Sequence, residues 1–154
     1  MSWHWLIPAV AASLVAGPSA GAPGRAPFQQ TSRSRSAWDG VFTAAQARRG
    51  QQKYETHCAF CHALAPLPPD AHVDGWTGGP IGGERFLKRF DTAFKLLQIV
   101  STTMPEGDPG GLGHQSYLDL VAFILAANHF PAGDQELPRD ADSLTQIHIE
   151  SARR

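Results

Sequence analysis

The stretch Cys58-Ala59-Phe60-Cys61-His62 constrains this chain more than any other. Two thiols about three residues apart on a helical turn project towards one side, and an imidazole follows at once. One chemistry needs that spacing: each thiol adds to a vinyl group of a haem, and the imidazole then reaches the iron from the face beneath. A haem held by two thioethers cannot dissociate, so the pattern implies iron kept permanently. The competing readings fail on the rest of the sequence. Zinc takes about four ligands, but Cys58 and Cys61 are the only cysteines and no spaced His pair completes a set. A thioredoxin-like redox pair belongs in a βαβ context, which the chain nowhere suggests. A disulfide closing so tight a loop would constrain little, because its entropic benefit grows with loop length.

A chain of 154 residues is enough for one domain, and 13 basic against 14 acidic residues argue against nucleic acid or a membrane surface as partner. Leu6 to Ala16 is an apolar run followed by Pro18-Ser19-Ala20-Gly21-Ala22, which predicts a signal peptide over residues 1–22 with cleavage near 20 to 22. The run falls short of the roughly 20 apolar residues that span a bilayer. Export agrees with the haem reading, since covalent attachment in bacteria takes place outside the cytoplasmic membrane. The expected location is therefore the periplasm; an uncleaved anchor tethering the protein to the membrane is the alternative. Residues 23–40 are rich in Pro, Gly, Ser and Gln, with few apolar side chains beyond Phe28 and Trp38, and read as a disordered linker.

Thr43 opens a helix with Gln46 in capping-box position, expected to run through Tyr54 to the cysteine motif, with Phe42, Ala47, Gly50 and Tyr54 near one face. Glycine inside a helix costs about 1 kcal/mol relative to Ala, so Gly50 implies close approach of another helix. After His62 the prolines from Pro66 to Pro69 and the run Trp76 to Gly83 exclude regular structure, giving a loop suited to wrapping a haem edge. Residues 84–90 predict a short helix, and Asp91 the N-cap of another bearing Phe94, Leu97 and Val100 and ending before Met104-Pro105. A turn-rich segment, Gly107 to Gly113, precedes a last helix starting near Ser116, with Leu120, Phe123, Ile124 and Ala127 as its apolar stripe. The tail, residues 132–154, is polar, with Leu137, Leu144, Ile147 and Ile149 to anchor an irregular path against the domain. No strand of useful length is expected.

His62 alone would leave the sixth iron position open. With Met1 lost in the leader, Met104 is the only thioether of the mature chain, and Pro105 pushes it out of helical geometry so that a loop presents it. His57, His72, His114, His129 and His148 are competitors, better explained as surface residues; His57 leaves the same helix as the thiols and reaches the opposite face poorly.

Cys58 to His62, Gly79-Pro80, Thr103-Met104-Pro105 and Tyr117 to Leu125, in that order, resemble the class I c-type cytochrome family, closest to the small single-haem domains that accompany bacterial dehydrogenases and oxidases. The resemblance covers roughly residues 41–131. It implies an all-α, cytochrome c-like fold of about three to five helices around one covalent haem c, with the first and last helices crossing where Gly50 and Tyr54 meet Phe123. It also implies that the Pro80 carbonyl accepts a hydrogen bond from Nδ1–H of His62, with Pro66 and Pro68 as alternatives because the intervening loop is long. His62 and Met104 as metal ligands would keep iron six-coordinate and raise its potential, so the expected function is electron transfer between redox partner proteins and not substrate chemistry. A gas-binding or catalytic haem protein with an open sixth site, or a haem subunit docked permanently on a dehydrogenase as its electron outlet, are the alternatives. Arg85, Lys88, Arg89 and Lys95 form either a solvated helix face or a docking patch or propionate partner, and Trp76 either donates to a propionate or covers haem surface.

Overall fold

The computed structural model describes Met1 and residues 33–64 and 78–151. The leader beyond Met1, most of the linker, and the loop carrying Pro66, Pro68, His72 and Trp76 lie outside the described residues. Everything below belongs to one unit, Thr31–Arg154. The elements run β1 (Arg35–Ser36), α1 (Ala44–His57), α2 (Glu84–Leu87), α3 (Ala93–Thr103), α4 (His114–Ala127), α5 (Ala141–Thr145) and β2 (Ile147–His148). The fold is all-α, its one sheet among the described residues being the two-residue parallel pair β1–β2.

Helix α1 starts where the Thr43 hydroxyl accepts a hydrogen bond from the Gln46 N–H. Only half of the expected capping box forms. The fully buried Gln46 side chain turns inward and accepts from the Leu137 N–H at 2.9 Å instead of reaching back to the cap. The buried face of α1 is Gln46, Ala47, Gly50 and Tyr54, and it packs mainly on α4. Gly50 explains how closely: a Cβ there would lie 1.8 Å from the Asp119 carbonyl oxygen and 2.8 Å from the Phe123 Cβ. One turn on, the Tyr54 and Phe123 rings meet at 5.1 Å. Arg49 clamps the same crossing from the side, its guanidinium bonded to both Asp119 oxygens at 3.0 and 2.8 Å and to Glu136 at 2.8 Å. These carboxylates hold the Arg49 pKa above its ordinary value.

Two helix starts differ from the sequence expectation. The N-cap of α3 is Thr92, whose hydroxyl accepts from the Lys95 N–H; Asp91 instead lies 3.8 Å from the Lys95 ammonium. Helix α4 begins at His114, directly after Gly113 at φ +77°, because the left-handed glycine ends the preceding turn two residues earlier than Ser116 would.

The larger correction concerns the linker. Residues 35–40 pack onto the domain: Ala37 is buried in the core, the half-buried Trp38 ring lies 4.6 Å from that of Phe130, and the Trp38 indole N–H donates to the Glu150 carbonyl at 3.1 Å. Composition misled here because the few apolar residues of the segment, Ala37 and Trp38, are the ones that pack. The tail is likewise more regular than its polarity suggested, with α5 capped by Asp140 and β2 pairing β1. Leu137, Leu144, Ile147 and Ile149 are all buried. Trp38→Ala should therefore lower unfolding stability by about 2–3 kcal/mol in a urea titration, at or just below the usual cost of truncating a large aromatic because the ring is only half-buried.

Candidate metal centre

Helix α1 runs to His57, directly before the motif as expected, and the motif itself continues as a tight turn. The N–H groups of Cys58 and Ala59 both donate to the Tyr54 carbonyl, and those of Cys61 and His62 both donate to the Cys58 carbonyl at 3.0 and 2.9 Å. The turn replaces the helical stagger but achieves the same end, since Cys58, Cys61 and His62 line one cavity. Both thiols are free. Burial, and then the neighbouring Cys61, push the Cys58 thiol pKa up, the opposite of what a reactive redox thiolate requires.

The His62 ring is oriented from behind. Its Nδ1 lies 2.7 Å from the Gly79 carbonyl oxygen, an acceptor only, so Nδ1 carries the proton and Nε2 keeps its lone pair for a metal. This corrects the assignment to Pro80 by one residue: the carbonyl that faces the imidazole is that of Gly79. The reason lies in the approach of the chain. The Gly78 N–H donates to the Cys61 carbonyl at 3.0 Å, and a Cβ on Gly78 would sit 2.4 Å from the His62 Cε1. Only a residue without a side chain can lie against the ring edge, which brings the next carbonyl, not the one after, onto Nδ1. The segment is then fixed to the frame, because the buried Asn128 side chain accepts from the Gly83 N–H and donates to the Ile81 and Ile124 carbonyls. Sequence reasoning passed over Gly78 and Asn128; the Gly-Gly-Pro run was the available signal for the first.

Met104 ends α3 in extended geometry, φ −127° and ψ 150°, as the following proline demands. It lines the same cavity as the two thiols and His62, as do His57, Arg89 and Glu106. His114 is engaged elsewhere, its Nε2 2.9 Å from the Arg139 carbonyl, and neither it nor His129 nor His148 lines this wall. Of the basic cluster only Arg89 reaches the cavity; Lys88 is paired with Glu84 at 2.7 Å. Among the described residues no group of three or more His, Cys, Asp or Glu side chains is placed to hold a metal ion by itself.

Residues 45–124 match the family model described as cytochrome c oxidase, cbb3-type, subunit III. The chain belongs to this family of c-type cytochrome domains. No curated protein and no solved structure matches it. The matched span of the cytochrome contains the cysteine motif, Gly78, Gly79 and Met104, and membership in the family makes its function haem-based electron transfer. The cavity fits a haem on its own terms. It measures about 760 Å³, within the roughly 300–1,000 Å³ of cofactor pockets. Phe86, Phe90, Leu96, Leu120 and Ile124 give it an apolar wall, and the two thiols, the imidazole with a free Nε2 and the thioether supply the donors.

Proposed function

We propose that this cytochrome carries single electrons between redox partners in the periplasm, on one haem c attached through Cys58 and Cys61 with His62 and Met104 as the iron ligands. The observation that carries this reading is that Met104 and His62 line one cavity with both thiols, while each candidate's backbone is tied to the α1–α4 frame. Haem bound there supplies a one-electron couple, and thioether ligation raises its potential. The chain's residues do the rest. The Gly79 carbonyl fixes the His62 tautomer, the apolar wall excludes water, and Arg89, the only Lys or Arg among the described lining residues, stands ready for the propionates. No helix among the described residues is long and apolar enough to cross a membrane. Service as the electron outlet of a dehydrogenase or oxidase is the form in which such a domain would be docked.

Met104 decides between this reading and a ligand-binding haem protein. The oxidised protein should show the weak long-wavelength charge-transfer band of sulfur on ferric iron, and the reduced protein should bind carbon monoxide slowly. Met104→Ala should abolish the band, speed carbon monoxide binding and lower the reduction potential by roughly 0.2 V, a fraction of the ≈ 0.8 V range that axial ligands span. Fast carbon monoxide binding by the unmutated protein would transfer the reading to an open-site haem protein.

A further inference from the structure

The chain contains two tyrosines, Tyr54 and Tyr117. Both are buried, one on α1 and one on α4, the two helices that form the principal packing of the fold. Each hydroxyl donates to a backbone carbonyl, and the two carbonyls belong to His62 and Met104: Tyr54 bonds to the first, Tyr117 to the second at 2.8 Å. Resting on the ligation proposed above, we infer that Tyr54 and Tyr117 are positioning residues that transmit the geometry of the α1–α4 crossing to the two iron ligands.

His62 lies past the end of α1, and Met104 is the last residue before a turn in which the Asp108 N–H donates to the Pro105 carbonyl. Neither ligand's carbonyl belongs to a helix ladder. A carbonyl outside a ladder takes its geometry from whatever donor reaches it, and here that donor is a phenol with only two rotatable bonds, set in a packed core. The Tyr54 ring is held against Phe123 and lines the cavity. Tyr117 is almost wholly enclosed. The crossing between them is itself rigid, with Gly50 against the Asp119 backbone and the Arg49 fork on the Asp119 carboxylate. One fixed helix pair thus holds the carbonyl of each ligand residue, adding to the N–H bonds that tie His62 to the Cys58 carbonyl and Met104 to the Val100 carbonyl at the end of α3.

A thioether is a labile ligand, so losing the Tyr117 hydrogen bond should show as faster opening of the sixth site. The test uses the ferric holoprotein and free imidazole as the probe, under conditions where departure of the sulfur limits the rate. Tyr117→Phe keeps the ring and its packing; imidazole binding should quicken roughly tenfold, the scale of one lost buried hydrogen bond. Leu118→Val, in the buried interior of α4 and away from the cavity, is the control for general loosening and should leave the rate unchanged. Tyr54→Phe should leave the imidazole rate near that of the unmutated protein but alter the spread of the paramagnetically shifted haem methyl resonances, which report the orientation of the axial ligands, the His62 ring among them. Equal imidazole rates in Tyr117→Phe and Leu118→Val, whether fast or slow, would overturn the Tyr117 assignment. Unchanged methyl shifts in Tyr54→Phe would overturn the other. If the unmutated protein lacks the sulfur band altogether, Met104 ligation fails and the Tyr117 role falls with it, whereas a normal band with an unresponsive Tyr117→Phe removes the positioning role alone.

Discussion

Replacing both cysteines, Cys58→Ser with Cys61→Ser, is expected to convert a permanent cofactor into one that leaves. The unmutated cytochrome should keep its colour in the protein precipitate through acid-acetone extraction, because two thioethers survive conditions that protonate His62 and break iron bonds. The double variant should release essentially all of it into the organic layer. Each single variant should hold the haem by one bond and shift the absorption bands without loss of colour. Full extraction from the unmutated protein would overturn covalent attachment, and with it the reason for a second cysteine three residues after the first. Both thiols line the cavity and are free in the structure, so the chain needs no rearrangement of its disulfide state to receive the group.

Gly50→Ala should strongly destabilise the α1–α4 crossing. The added carbon would lie 1.8 Å from the Asp119 oxygen and 2.5 Å from its carbonyl carbon, and backbone cannot turn aside as a flexible side chain can. Helices α1 and α4 must then separate. Ordinary overpacking costs about 1–3 kcal/mol, and a forced shift of a helix crossing should exceed it, on the order of 3–4 kcal/mol. That is a large share of the roughly 5–15 kcal/mol that holds a domain together. Urea unfolding followed by circular dichroism measures it, with Gly79→Ala as the comparison, since nothing lies within 4 Å of a Cβ at Gly79. Similar losses in the two variants would show that the crossing tolerates separation.

The close crossing was legible in the sequence, because a glycine on the buried face of a helix weakens that helix unless a neighbouring backbone needs the space, and Gly50 met the expected partner Phe123 along with the Asp119 backbone. The motif at Cys58 and the placement of Met104 before a proline were legible on similar grounds: the chemistry admits few residue types at that spacing. Other features were not. Which carbonyl faces His62 depends on how closely Gly78 lies against the ring, a matter of ångströms that residue types do not encode. The packing of residues 35–40 depends on a partner more than a hundred positions away, Glu150, and no local pattern could show it. Asn128 escaped notice because a polar residue at a helix end has many ordinary uses, and only the fold shows it tying the segment behind the ligand loop to α4.

The parallel pairing of β1 with β2 has a mechanical consequence. The chain enters the pair at Arg35 and leaves it after His148, with Ser36 and Trp38 both bonded to Glu150. Pulling residues 33 and 151 apart would draw two parallel strands past one another along their length, so the bonds share the load in shear and do not open in turn. A tether on either side of the domain would therefore pull on a lock, while the haem cavity, whose wall includes none of these residues, stays out of the line of force.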